Sequence, residues 1–104
     1  MPEVALCPLA ELSEGEPRRF DGDGFRVVVV RFGDDVYAIG DRCSHQDVSL
    51  SEGEVDPDAR TIECYKHGST FDLRTGKPLT LPATLPVPTY DVRVRDGIAM
   101  IEVP

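Results

Sequence analysis

Cys43-Ser44-His45 and Cys64-Tyr65-Lys66-His67 decide how this chain is read. Eighteen residues separate them, and together they hold both histidines and two of the three cysteines in 104 residues. A chain so poor in histidine has no statistical reason to place each one within three positions of a cysteine. One thiol and one imidazole from each stretch make a four-ligand metal site of Cys₂His₂ composition. The surrounding segment, from Asp41 to Lys77, has few apolar residues and many turn formers. A long irregular insertion in a compact domain is usually functional or disordered. Here a metal would supply the missing core.

Outward from that insertion the chain reads as β structure. On its N-terminal side, Phe25 to Phe32 contains Val27-Val28-Val29-Val30, a β-branched run expected to form a buried strand. Gly33-Asp34-Asp35 turns it into Val36-Tyr37-Ala38-Ile39, and the hairpin ends at Gly40. Earlier, Val4 to Leu6 reads as a short strand and Pro8 to Leu12 as a turn or single helical turn. Ser13 to Pro17 is a polar loop. Arg18-Arg19-Phe20 is expected to pair with the next strand across Asp21-Gly22-Asp23-Gly24. Inside the insertion, only Thr61-Ile62-Glu63 and Ser69-Thr70-Phe71 read as strands. Lys77 to Pro88, with Pro78, Pro82, Pro86 and Pro88, is too proline-dense for a helix or a central strand. Tyr90 to Arg95 alternates as one strand and returns through Asp96-Gly97 into Ile98 to Ile101. No helical period is sustained. The expectation is an all-β chain forming one domain over residues 1–104.

The formal net charge of −8 argues against nucleic acid or anionic membrane as a partner, because phosphate contacts depend on Lys and Arg. The first residues lack the basic stretch and apolar run of a signal peptide. No stretch approaches the roughly 20 apolar residues of a membrane span. The expected location is therefore the cytoplasm, where thiols stay reduced and metal ligation is favoured over disulfides. Cys7, in an apolar strand far from the paired motifs, reads as a small buried hydrophobe.

Zinc accepts Cys₂His₂ sites, but its structural spacings usually pair like with like: two to four residues inside the Cys pair, three to five inside the His pair. Here each pair is mixed, and a single residue separates Cys43 from His45. A [2Fe–2S] centre with histidines replacing two cysteines on one iron suits this pattern better. Cys43-Ser44-His45-Gln46 with Cys64-Tyr65-Lys66-His67-Gly68-Ser69 resembles the Rieske motif, C-x-H followed by C-x-x-H-G. Phe71-Asp72, the proline loop and the closing Asp-Gly hairpin extend the resemblance to small Rieske ferredoxins over nearly the whole chain.

The resemblance implies a Rieske fold: an antiparallel β-sandwich or barrel-like core with an inserted cluster-binding subdomain, about residues 41–84, made of two ligand loops and a proline loop. It implies that Cys43 and Cys64 hold the inner iron, and His45 and His67 the outer iron near the surface. Gln46, Lys66, Gly68, Ser69 and Pro82 are expected beside the cofactor, with Leu81-Pro82-Ala83-Thr84 as the covering loop. Val48 and Lys66 stand where the cytochrome bc type carries a disulfide, so no such bridge is expected. Ser69 matches a serine that hydrogen-bonds a bridging sulfide. Phe71 stands where high-potential members carry a tyrosine, which places the expected potential on the order of −150 mV. Lys66, between two ligands, reads either as a group stabilising the reduced cluster or docking an acidic partner, or as a solvated loop residue.

Function follows as an expectation. Two thiolates on an oxidised core of charge +2 give a neutral site, which accepts an electron more readily than a four-thiolate one. The chain reads as a one-electron carrier, not an enzyme, passing electrons from a flavin-dependent ferredoxin reductase to a Rieske-type non-haem iron dioxygenase or related oxidoreductase. It is expected to be a monomer that meets its partners transiently. A mononuclear iron site would need two further histidines and a carboxylate, and no histidine remains. Two alternatives stand beside this reading. Lys66 and Ser49 to Glu54 lean towards a ferredoxin serving an iron–sulfur assembly system, and the ligand composition alone also admits a structural zinc module. The first ligand loop is acidic (Asp47, Glu52, Glu54, Asp56, Asp58 and Glu63 against Arg60), the second more basic, an asymmetry that would orient docking.

Overall fold

Val27, Val28, Val29 and Val30 are all completely buried, which a strand with one wet face cannot achieve. A computed structural model, describing residues 3–22, 24–43, 48–66, 68–81 and 83–103, shows the reason. Their strand lies in the middle of three layers. The chain order is β1 (Glu3–Pro8), a 3₁₀ turn (Leu9–Glu11), β2 (Arg18–Gly22), β3 (Phe25–Phe32) and β4 (Asp35–Gly40). A second 3₁₀ turn (Leu50–Glu52), β5 (Glu54–Asp56), β6 (Thr61–Glu63) and β7 (Thr70–Asp72) make up the insertion. β8 (Thr89–Tyr90), β9 (Val92–Arg95) and β10 (Ile98–Glu102) close the chain.

These strands form three antiparallel sheets: β1-β10-β9, β2-β3-β4-β8 and β5-β6-β7. Successive side chains of a strand point to opposite faces, and β3 uses both. Val27 and Val29 join Ala38, Ala99 and Ile101 in the core facing the first sheet. Val28 and Val30 join Ile39, Leu50, Ile62, Phe71 and Leu73 in the core facing the insertion. Burying each such side chain contributes about 1.5–3 kcal/mol, so β3 supports both halves of the molecule. Cys7 lies in the first of these cores. Burial pushes its thiol pKa up, outweighing the nearby Arg18, so it is the small inert hydrophobe that its position suggests.

Three details differ from the sequence expectation. First, β5 was not foreseen. Its residues Glu54-Val55-Asp56 carry two exposed carboxylates around one partly buried valine, and only pairing with β6 makes them a strand. Second, Tyr90 to Arg95 is not one strand. Tyr90 pairs with Ala38 of β4, whereas Val92 pairs with Ile101 of β10, so the chain changes sheet at Asp91. The Asp91 carbonyl accepts the Glu102 N–H at 3.1 Å and pins that crossing. Third, the strand after the second ligand loop starts at Thr70, because the Ser69 carbonyl is used to close the loop.

The turns follow the expected chemistry. Asp96 and Gly97 both have positive φ (50° and 77°), as a two-residue type I′ hairpin requires. Arg60 ties the inserted sheet to the central one. Its guanidinium lies 4.4 Å from the Phe32 ring centroid, its Nη1 is 3.4 Å from the Tyr37 hydroxyl, and its carbonyl accepts the Leu73 N–H. Among the described residues no helix is long and apolar enough to cross a membrane.

Candidate metal centre

The two ligand stretches are built by the same local device. The Cys43 N–H donates to the Val48 carbonyl at 3.0 Å, and the Cys64 N–H donates to the Ser69 carbonyl at 2.7 Å. Each cysteine thus opens a hairpin-like loop closed five residues on. One step outward, Arg42 bridges Ser49 and Glu63 pairs with Thr70, again matching positions. The cysteines sit where strand pairing ends, with backbone on both sides holding them. Both thiols are buried, both are free of disulfides, and both belong to one core with Leu50, Ile62 and Phe71. His45, Gln46, His67 and Pro82 lie outside the described residues.

The foot of the first loop is held by Asp41, which is fully buried at the end of the central hairpin. Its carboxylate accepts the Ser51 N–H at 2.8 Å and the Ser49 hydroxyl, and the Arg26 Nε lies 3.3 Å away. Its carbonyl accepts the Leu50 N–H, and its own N–H donates to the Arg26 carbonyl at 3.0 Å. Nothing in the sequence pattern marks Asp41 for this part. The one local signal is a carboxylate two residues before a ligand cysteine.

The second loop turns at Gly68, whose φ of 78° favours a residue without a side chain. Its N–H donates back to the Cys64 carbonyl at 3.0 Å. Ser69 is buried, and its hydroxyl accepts the Ala83 N–H at 3.1 Å, which draws the proline segment over the loop. An accepting hydroxyl keeps its own proton to donate, so Ser69 can both fasten the cover and offer a hydrogen bond inward. Thr80 adds a second stitch. Its Oγ1 accepts the Thr70 N–H at 2.8 Å and donates to the Gly68 carbonyl at 3.3 Å. Leu79 N–H to Thr70 carbonyl (2.7 Å) and Gly40 N–H to Pro88 carbonyl (2.8 Å) hold the two ends of the segment. Tyr65 and Lys66, by contrast, are exposed.

Two buried cysteines outside any disulfide, heading matched loops, walled by apolar side chains and covered by a fastened segment, fit an iron–sulfur cluster. They fit a surface zinc finger poorly, since no helix carries a second ligand pair among the described residues.

The arrangement defines a β scaffold presenting a two-loop metal-binding end. The Rieske [2Fe-2S] domain family matches residues 3–91, and the chain belongs to that family. The 3-phenylpropionate/cinnamic acid dioxygenase ferredoxin subunit of Escherichia coli K12 is 44% identical over 104 residues, covering 100% of this chain and 96% of the relative. The ferredoxin of carbazole 1,9a-dioxygenase from Nocardioides aromaticivorans IC177 superposes with a TM-score of 0.96 at 41% identity, each chain covered completely. A structure described as the complex of reduced oxygenase and oxidized ferredoxin in carbazole 1,9a-dioxygenase matches at a TM-score of 0.88 and 36% identity, covering 95% of this chain and 91% of that one. The protein is a Rieske-type ferredoxin, an electron carrier with a [2Fe–2S] cluster.

Proposed function

We propose that this chain is the ferredoxin component of an aromatic-ring dioxygenase system, taking single electrons from a flavin-dependent reductase and delivering them to the oxygenase component. The observation that carries this reading is the pair of matched loops, each opening on a buried cysteine with a histidine two or three residues on in the sequence. Cys43 and Cys64 hold one iron, and His45 and His67 the other. Gln46, Gly68, Ser69 and Pro82 line the cofactor, with Lys66 at its exposed edge. When bound, the cluster supplies reversible one-electron chemistry at a site whose charge changes by one unit. The residues of the chain keep two thiolates out of water, supply two imidazoles as ligands, and seal the cysteine side with the proline segment.

The whole of residues 1–104 works as one Rieske domain, with the cluster-binding segment at about 41–84. It acts in the cytoplasm as a monomer, since its role needs brief encounters with two partners in turn. The named relatives are dioxygenase ferredoxin subunits, which supports this reading over an iron–sulfur assembly role. The direct test is reconstitution. The purified red-brown protein should support NADH-dependent turnover by a ferredoxin reductase and an aromatic-ring oxygenase. His45→Ala or His67→Ala should abolish the Rieske spectrum while the β framework stays folded. A colourless protein with stoichiometric zinc refutes the reading.

A further inference from the structure

Among the described residues, large apolar side chains are exposed mainly on two neighbouring segments. Tyr65 (54% exposed), Leu79 (56%), Leu81 (77%) and Leu85 (64%) belong to the second ligand loop and the proline segment. Among the described residues only Val94, on β9, is comparable elsewhere. Single exposed leucines need no explanation, but a group of them around a functional site marks an interaction surface. Their backbone is fixed. Thr80 is bonded to Thr70 and Gly68, Ala83 to Ser69, and the Val87 N–H to the Gly76 carbonyl at 2.9 Å. A hollow of about 280 Å³ opens among Pro78, Leu79, Thr80, Leu81, Ala83 and Thr84. This surface is held ready and loses little freedom on binding.

One flank of it is acidic. Glu54 stands directly opposite Glu63 in the β5–β6 ladder, both exposed, although like charges in that relation destabilise a strand pair. Asp56 lies on the same face as Glu54, two residues on. The row continues from Glu63 to Thr70, and the Thr70 carbonyl accepts the Leu79 N–H, so the leucine-bearing segment is the next rung of the ladder. At roughly 4.8 Å between neighbouring strands, Glu63 is about 10 Å and Glu54 about 14 Å from that segment. Glu63 also immediately precedes Cys64.

We propose that Tyr65, Leu79, Leu81 and Leu85 form the contact surface for the oxygenase component, a protein that presents an apolar recess bordered on one side by lysine or arginine facing Glu54 and Glu63. The proposal rests on the electron-carrier reading above and divides the work of docking. The carboxylates steer and orient the encounter, whereas the leucines hold the complex.

The test uses the oxygenase component of the E. coli 3-phenylpropionate/cinnamic acid dioxygenase as the probe, with dithionite-reduced holoferredoxin and no reductase present. Stopped-flow absorbance follows electron transfer as ferredoxin concentration and salt are varied. Leu81→Ser and Leu85→Ser should each raise the half-saturating ferredoxin concentration about tenfold, with an unchanged salt slope. The Glu54→Gln/Glu63→Gln double variant should lower the second-order rate roughly tenfold in low salt and match wild type at about 0.5 M salt. The visible spectrum should keep its wild-type form in all three, and the midpoint potential its wild-type value in Leu85→Ser. Leucine variants that saturate at the wild-type concentration overturn the docking surface while leaving the electron-carrier reading intact. A wild-type protein that transfers no electron to this oxygenase overturns the reading itself, and the docking proposal with it.

Discussion

Removing the Asp41 carboxylate should loosen the first ligand loop more than any exposed change nearby. The carboxylate is fully buried and accepts hydrogen bonds from the Ser51 N–H and the Ser49 hydroxyl, with Arg26 Nε at 3.3 Å and Arg19 Nε at 3.6 Å. The two arginine side chains are 36% and 40% exposed, so the ion-pair contribution is screened and amounts to under about 1 kcal/mol. The larger loss is the acceptor of the Ser51 N–H, costing about 1–3 kcal/mol, whereas the Ser49 hydroxyl can still donate to the Ser51 hydroxyl at 2.6 Å. Asp41→Ala should therefore destabilise by about 2 kcal/mol, a fall of roughly 8–16 °C in Tm for a domain of this size. Asp41→Asn keeps an acceptor for the Ser51 N–H and should lose only about 1 kcal/mol. The assay is urea unfolding of the holoprotein, followed in parallel by far-UV circular dichroism and by bleaching of the visible bands. Bleaching should precede backbone unfolding in Asp41→Ala, because the loop releases before the central sheet. An alanine variant within about 0.5 kcal/mol of wild type would refute the assignment of Asp41 as the anchor of this loop.

Ser69→Ala leaves the Ala83 N–H without its buried acceptor and removes a donor from the cysteine side of the site. A redox titration should give a midpoint about 50 mV below a wild-type value expected near −150 mV, since 59 mV is a tenfold change for one electron. Gly53→Ala would put a Cβ 1.7 Å from the Glu63 carbonyl oxygen, so β5 must move away from the residue preceding Cys64. Chemical denaturation should show a loss of about 1–3 kcal/mol together with faster cluster loss. Asp72 gives a pH dependence. Partial burial raises its pKa, but the Arg74 N–H at 2.8 Å and the Arg74 guanidinium outweigh this and hold the carboxyl below the usual range. Its stabilising share is thus complete above about pH 4 and lost as pH falls through the depressed folded value. Stability of Asp72→Asn measured from pH 6 down to pH 2 should fall less steeply than that of wild type.

The parts of this molecule legible in the sequence are those set by local chemistry. Val27 to Val30 announced a buried strand, Asp96-Gly97 a tight hairpin, and the Cys/His spacing a cluster site. What escaped depends on residues distant in sequence. Glu54-Val55-Asp56 looks like a polar loop until β6 supplies its partner. Tyr90 to Arg95 keeps a strand's alternation across Asp91, and no residue there says that the chain has passed to another sheet. Within the site, the cysteines could be picked out by motif. Asp41 and Thr80 could not, because an aspartate after a strand and a threonine among prolines become anchors only when Ser51, Thr70 and Gly68 fold beside them.

The stitched proline segment has a consequence for speed. An electron can cross only when the atoms around donor and acceptor reach a geometry in which either charge state is equally stable. Every loose dipole or trapped water adds to the rearrangement required. Thr80, Ala83, Val87 and Pro88 tie the cover to the second loop, to Gly76 and to Gly40 on the central hairpin, so the backbone on the cysteine side has few ways to relax. Dipoles already fixed cost no reorganisation at the moment of transfer. A segment held in this way therefore keeps the reorganisation energy of the cysteine side small.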